Sequence, residues 1–394
     1  MIFVGRGEKR VRGPAQKKTK VNNFGNWGVA FFLFLSFPVF GASLKLLSFN
    51  LGLAPTYVPY AKERVGPLIA ALKEQKADVV CLQEVWSLAD QLKMLKALKG
   101  QYPYSALTSS LQRSVGHSPP CSLFDLLGKG KFVSCLATNC LSYSGDNFTQ
   151  CILRQCGPSL QRLKQEKREC ATSLMTQVGL NPLSALWNVL SPFKKIGTYA
   201  FDGQTGIMLF SRFPLSQIQT LDLFPNATLN ARAVLKAKIL WQQQSMNILC
   251  THLTSDLSEE LPYTGILSSW QEENSKQVDQ LLTLVSNQTI LMGDFNCSLE
   301  NKDSQIGPSL RESCQKILHR GLQDPHLKEA RPQCTFCRNN SFNSHLSQDL
   351  LIDHIFLTPL KGLIQSKSTV VLKQTFKRIP LSDHYGLQTI LNFE

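Results

Sequence analysis

Eight polar side chains in this 394-residue chain have types and positions suited to one kind of chemistry. They are Asn50, Glu84, His252, Asp294, Asn296, Asp353, Asp383 and His384, and each stands at or just beyond the end of a short run that reads as a β-strand. The clearest case is Ile290-Leu-Met-Gly-Asp-Phe-Asn296, where strand-end alternation puts Asp294 and Asn296 on the same side. An ionised acceptor beside a neutral amide suits a metal-bound phosphate, although Gly-Asp-Phe-Asn also makes an ordinary turn. Any one of the eight has a bland explanation as a cap or turn residue. Eight placed alike point to phosphoester cleavage, which needs anionic oxygens neutralised, a water activated and a leaving oxygen stabilised.

Glu84 supplies the hard carboxylate that Mg²⁺ prefers, with Asn50 as a neutral oxygen donor beside it. His252 and His384 can serve as base and as donor to the phosphate. A histidine base needs an orienting carboxylate on its other nitrogen. Asp353 suits that role better than Asp383, because adjacent Asp383 and His384 point to opposite sides of an extended chain. The chain has no Gly-rich phosphate loop and no Gly-x-Ser-x-Gly elbow, which argues against P-loop and serine hydrolases and against a nucleotide cofactor.

The elements that must position these residues alternate between strands and helices. Leu44–Phe49 reads as a strand that delivers Asn50, and Asp78–Leu82 as a strand buried on both faces that delivers Gln83-Glu84-Val85-Trp86. Between them Val65, Leu68, Ile69 and Leu72 mark one face of a helix. Strands are also expected over Gly206–Pro214, where proline stops the strand, and at Ala233–Ile239 and Met246–Thr251, the last ending at His252, and then a helix carrying Val278, Leu281, Leu282 and Val285. Polar residues at the ends of such strands are the usual way an α/β layer builds a site. From about 111 to 195 the alternation stops, and Cys121, Cys135, Cys140, Cys151, Cys156 and Cys170 crowd into fifty residues. This stretch is expected to be an inserted, disulfide-braced subdomain containing a solvated helix over 160–169. Its apolar segment Leu186–Phe193, with Trp187 and Phe193, reads either as core or as a membrane-facing patch. Cys334 and Cys337 have disulfide or metal spacing but no second pair to complete a zinc site, while Cys81 and Cys250 read as inert buried thiols.

A hydrophobic content of 43% with 18% charged residues describes a folded globular chain. Of the net charge of +14, residues 1–42 carry +6, leaving +8 for residues 43–394, a sign that favours phosphodiesters or lipid headgroups. The first 42 residues read as a secretory signal: a basic region, an apolar run over 29–40 and the small residues Gly41-Ala42-Ser43. The expectation is therefore a secreted or periplasmic monomer, or alternatively a protein anchored to a membrane by that apolar segment.

The ordered set Ser48-Phe-Asn50, Leu82-Gln-Glu84-Val, Gly206–Pro214, Thr251-His252-Leu, Gly293-Asp294-Phe-Asn296, Ile352-Asp353-His-Ile and Ser382-Asp383-His384 resembles the endonuclease/exonuclease/phosphatase, or DNase I-like, superfamily. The resemblance implies a four-layer α/β sandwich of two packed mixed sheets flanked by helices, covering 43–394 apart from the insertion. It implies that Glu84 and Asn50 hold Mg²⁺, or Mn²⁺ or Ca²⁺, with Asp383 completing the cluster. Asp294 and Asn296 would hold the phosphate and the attacking water or a second metal. His384 would be the base oriented by Asp353, and His252 would stabilise the phosphoryl transition state. Glu84-Val-Trp86-Ser, Thr251-His252-Leu and Ile352-Asp353-His354 look most like neutral sphingomyelinases, which makes Trp86 a substrate-binding candidate and a phospholipid or membrane surface the expected partner. A secreted DNase I-like endonuclease acting on nucleic acid is the alternative, and a non-catalytic binding module the third reading.

Overall fold

The computed structural model describes residues 42–394 apart from 56, 112–118, 144–145, 178–179, 181, 194–198 and 260. The segment read as a secretory signal lies outside the described residues except for Ala42. No helix among the described residues is long and apolar enough to cross a membrane.

The strands are, in chain order, β1 (Ser43–Leu53), β2 (Val79–Val85), β3 (Tyr104–Leu107), β4 (Met208–Ser211), β5 (Leu215–Asp222), β6 (Ala233–Trp241), β7 (Gln244–His252), β8 (Thr289–Asp294), β9 (Asp353–Leu357), β10 (Leu363–Val371), β11 (Thr375–Phe376), β12 (Ile379–Pro380) and β13 (Gly386–Phe393). One sheet runs β10-β13-β1-β2-β4-β3 and the other β5-β6-β7-β8-β9, with β11 and β12 forming a small hairpin. Both sheets are mixed: β1 and β2 run parallel, as do β7 and β8, while their other neighbours are antiparallel. Helices α1 (Ala61–Gln75) and α2 (Leu88–Leu98) pack on the outer face of the first sheet, and α9 (Trp270–Leu282) and α10 (Arg311–His319) on the outer face of the second. This is the expected four-layer sandwich. Strands β3, β5, β10 and β13 lacked clean signals; β5 and β10 are edge strands whose largely exposed residues carry little apolar alternation.

Period-two alternation explains how the sandwich aims its strand ends. Leu44 and Leu46 of β1, Val79 and Cys81 of β2, Met246, Ile248 and Cys250 of β7, Ile290 and Met292 of β8, and Ile355 and Leu357 of β9 all face the shared core between the sheets. The intervening Leu47, Phe49, Val80, Leu82, Leu249, Leu291 and Phe356 face the outer helices. Continuing the inward parity gives Asn50, His252, Asp294 and Asp353. Four of the eight candidates thus emerge at one rim of the inter-sheet core simply because their strands are in register.

Cys81 and Cys250 were expected to be inert thiols, and they are instead bonded to each other. Both have inward parity on facing strands of opposite sheets, so their sulfurs meet across the core. All twelve cysteines are paired: the insertion holds Cys121–Cys170, Cys135–Cys156 and Cys140–Cys151, and the C-terminal half holds Cys297–Cys314 and Cys334–Cys337.

The insertion leaves from β3 and returns to its antiparallel neighbour β4, pinched at its base by the Thr108–Thr205 hydroxyl pair and by Leu111 N–H donating to Gly203 O at 2.8 Å. It contains α3 (Leu123–Leu126), α4 (Phe132–Asn139), α5 (Asp146–Gln155), α6 (Gly157–Glu166), α7 (Arg168–Met175) and α8 (Pro182–Leu190). The single solvated helix expected over 160–169 is two: α6 ends at Glu166, and Leu160, Leu163 and Cys170 turn inward onto the disulfide core.

The Cys81–Cys250 bond ties positions 169 residues apart, so its removal opens the longest disulfide-closed loop of the unfolded chain and returns conformational freedom to it. Replacing both cysteines by alanine is expected to lower unfolding stability by about 2–5 kcal/mol, read as a drop in denaturant midpoint. An unchanged midpoint would show that the sheets hold together without it.

Candidate active site

Six of the candidate side chains form one connected cluster. Asn50 Nδ2 donates to Glu84 Oε1 at 3.1 Å and to Asp294 Oδ2 at 2.9 Å. His252 Nε2 lies 3.8 Å from Glu84 Oε1 and 3.4 Å from Asp294 Oδ2. On the other side of Asp294, His384 Nε2 lies 3.9 Å from the same Oδ2, while its Nδ1 bonds Asp353 Oδ2 at 2.8 Å. Asp294 is therefore the hinge of two triads, Glu84–His252–Asp294 and Asp294–Asp353–His384, each with ligand atoms within 4.8 Å of one another.

Glu84 reaches this cluster only by breaking strand parity. Leu82 faces the outer helices, and simple alternation would send Glu84 the same way. A left-handed backbone at Glu84, φ 58°, where the β1–β2 register shifts, turns the carboxylate inward. Asn296 is likewise left-handed, φ 55°; its N–H donates to Asp294 Oδ1 at 2.9 Å and its Nδ2 to Leu253 O at 2.9 Å, so it braces the turn beside His252. Strained backbone of this kind persists where the surroundings fix it and clusters at functional sites.

Two placements differ from expectation. The Asn50 amide oxygen is taken by Gly52 N–H at 3.0 Å, so its NH₂ faces the carboxylates and bridges them, where an oxygen ligand was expected. Asp383 lies outside both triads: its Oδ1 accepts from Ser382 Oγ at 3.0 Å and packs against Gly52. Gly52 has φ 52°, and a Cβ there would sit 2.2 Å from Asp383 Oδ1, so only glycine lets the two strand ends close. The negative charge of Asp383 still reaches Glu84, which is raised by burial first and then by Asp383.

The electrostatics of the cluster are set by burial of like charges. Burial, with the nearby Asp353, pushes Asp294 up to about 7 against the lowering effects of His384 and Asn50. Burial depresses His252 well below its ordinary value, helped by Arg232 and His384, so it is a neutral imidazole. For His384, burial opposes the charged form but loses to Asp353, Asp383 and Asp294, which hold it well above the ordinary range. An excess of buried carboxylate over cation is the charge pattern that a divalent ion relieves, and Glu84 and Asp294 present the hard oxygens such an ion takes. The residues present thus fit a divalent cation at the Glu84–Asp294 end.

Sequence reasoning missed Arg232. It is buried beside Trp86, its guanidinium carbon 5.9 Å from the ring, and its Nε and Nη1 have no hydrogen-bond partner among the described residues. Glu84 and Asp294 both act on its charge. Arg232 precedes β6 without any motif around it, so nothing local distinguished it from a surface cation. Trp86 itself is buried, stacks on Phe201 with centroids 4.7 Å apart and lies 6.0 Å from the His252 ring.

The supporting shell was equally silent. Arg64 of α1 is buried and donates to Leu51 O and Leu381 O at 2.8 Å each, to Pro59 O at 3.0 Å and to Gly52 O, tying the end of β1 to the segment that bears Asp383 and His384. Thr335, inside the Cys334–Cys337 loop, accepts from Ile352 N–H and Asp353 N–H, while neighbouring Phe336 packs on the His384 ring at 4.8 Å. His354, adjacent to Asp353, faces away into the outer layer, bonding Asp324 and Cys297 O at 2.7 and 3.0 Å.

Residues 47–384 match the model of the Endonuclease/Exonuclease/phosphatase family. Among solved structures, an endonuclease/exonuclease/phosphatase from Beutenbergia cavernae is 15% identical over 89% of this chain and 72% of its own, with a TM-score of 0.52. Sphingomyelinase C from Streptomyces griseocarneus is 15% identical over 90% of this chain and 100% of its own, TM-score 0.51. The protein SmcL is 13% identical over 89% and 99%, TM-score 0.51. No curated protein matches the chain significantly. At such identities the likeness to solved structures is one of fold. The family match, by contrast, runs from β1 to His384 and takes in all eight strand-end residues: this chain belongs to the endonuclease/exonuclease/phosphatase family.

Proposed function

We propose that this chain is a divalent-metal-dependent phosphodiesterase that releases a phospholipid headgroup, acting on an ester of the sphingomyelin type. The observation that carries the chemistry is the His384–Asp353 bond at 2.8 Å, which aims Nε2 at the Asp294 end of a carboxylate cluster. The lipid substrate is supported by the Glu84-Val-Trp86 motif and by the sphingomyelinase C fold neighbour.

In this reading Asp353 fixes the His384 ring, and Nε2, once deprotonated, accepts a proton from the attacking water. Asp294 and Asn296 position that water and the phosphate. Glu84 and Asp294 would hold a divalent ion, Mg²⁺, Mn²⁺ or Ca²⁺, which would supply positive charge to the phosphoryl oxygens and acidity to a water. Neutral His252 donates a hydrogen bond to the phosphate without repelling a cation. Arg232, whose charge both Glu84 and Asp294 feel and whose Nε and Nη1 have no partner among the described residues, is the candidate donor to the charge that develops on the phosphoryl oxygens. Trp86 and Phe201 form the wall against which the headgroup lies. Export through the N-terminal segment belongs to the same proposal, supported by the pairing of all twelve cysteines.

A DNase I-like endonuclease is the second reading, favoured by the +8 net charge of residues 43–394. One preparation assayed with Mg²⁺ on sphingomyelin vesicles and on supercoiled DNA separates the two: phosphocholine release that EDTA abolishes, without nicking, is expected. Nicking without phosphocholine release would replace the first reading by the second.

Asp353→Asn is expected to lower kcat/KM by about 10²–10⁴-fold, the usual share of a general base. Because Asp353 holds the His384 proton on, its loss should also move the acidic limb of the pH–rate profile to lower pH. A lower rate with an unmoved limb would assign that limb to another group.

Arg232→Met should reduce kcat by about 10²–10³-fold with little change in KM, as for loss of one transition-state donor. Arg232→Lys should recover part of it. A rise in KM alone would place Arg232 in substrate binding.

A further inference from the structure

The insertion buries its own core around three disulfides, yet leaves large apolar side chains off it. On α8, Val189 is buried while Leu183 and Trp187, one turn apart on the same stripe, are 81% and 61% exposed. On α3, Leu126 is buried while Phe124 is 86% exposed, and beyond α8 Phe193 is 90% exposed. The core reading of the Trp187–Phe193 segment therefore fails for these two aromatics. Cys121 N–H donates to Val189 O at 3.2 Å, which joins the start of α3 to α8 and places the two exposed stripes on neighbouring elements.

Cations accompany this surface. Residues 111–195 contain ten basic and four acidic side chains, so +6 of the +8 net charge of residues 43–394 sits in the insertion. Lys131 Nζ donates to Phe124 O, and exposed Lys129 and Arg162 flank the same turn. Exposed aromatic and aliphatic side chains rimmed by Lys and Arg are the chemistry of a face that lies on an anionic bilayer, where rings enter the interface and cations meet lipid phosphates.

We infer that the α3–α8 face of the insertion docks this protein onto an anionic phospholipid surface, an inference that deepens and rests on the phospholipid reading above. The insertion is coupled to the site on two sides. Its core packs on Leu257, Leu261 and Tyr263, in the segment that follows His252, and Thr172 Oγ1 donates to Thr264 O at 3.1 Å. The chain then returns to β4 through Phe201, which stacks on Trp86.

The test uses the full chain with vesicles of brominated phosphatidylcholine, with and without phosphatidylglycerol. Anionic vesicles should quench a component of tryptophan emission that is missing in Trp187→Phe, which separates Trp187 from any contribution of Trp27. Replacing Lys129, Lys131 and Arg162 together by Gln should weaken vesicle affinity roughly 10²-fold at low salt. No Trp187-dependent quenching, or equal quenching by vesicles lacking phosphatidylglycerol, would overturn the proposal. So would a dimer in sedimentation equilibrium that Phe124→Ser disperses, since a second copy would then cover the face. Hydrolysis of the soluble diester bis(4-nitrophenyl) phosphate should be unchanged in Phe124→Ser and Phe193→Ser. Vesicle quenching with no diester hydrolysis at all would sustain docking and discard the phosphodiesterase reading.

Discussion

Asp294 is a carboxylate that cannot easily be charged where it stands, and the site is built around that difficulty. It is buried at the rim of the inter-sheet core, within reach of Glu84, Asp353, His252 and His384, and its pKa rises to about 7. In a low-dielectric setting, unpaired anions favour neutralisation by a proton, a hydrogen-bond donor or a cation. The chain supplies a partial answer with a donor, the Asn50 amide, and with two cations, His384 and Arg232. The remainder is what a divalent ion and an anionic substrate would share. Histidine states follow from the same imbalance, since His252 is left neutral while His384 is held protonated by the carboxylates around it.

The sandwich makes this arrangement possible through strand parity. Four site residues continue the inward alternation of β1, β7, β8 and β9, and the disulfide between Cys81 and Cys250 locks the two sheets a few residues from that rim. What parity cannot deliver is supplied by local departures: the left-handed Glu84, the left-handed Asn296 and the close approach of Gly52 to Asp383. Arg64 and Thr335 then hold the strand ends from outside through backbone carbonyl and amide bonds.

Legibility in the sequence tracks these two modes. Asn50, His252, Asp294 and Asp353 were readable because each is a polar residue directly following a short apolar run, and the His384–Asp353 pairing followed from the opposite facing of Asp383 and His384. Glu84 was identified without the reason it points inward, because a single left-handed residue leaves no mark on composition. Arg232 and Arg64 were not found, since a buried arginine looks like a surface one until its neighbours are known. Cys81 and Cys250 were misread for a related reason: a cysteine inside an apolar strand suggests a thiol, and only sheet packing brings two of them together. The insertion was visible from its cysteines, whereas the outward stripe of α8 required knowing which side its disulfide core occupies.

The claim that decides the rest is that Glu84 and Asp294 form a cation site. Calorimetric titration of the full chain with Mn²⁺ at neutral pH tests it without reference to any substrate. Saturable binding that Glu84→Gln weakens at least tenfold, and that Mg²⁺ competes away, is the predicted result. Binding that is absent, or identical in wild type and Glu84→Gln, would contradict the account.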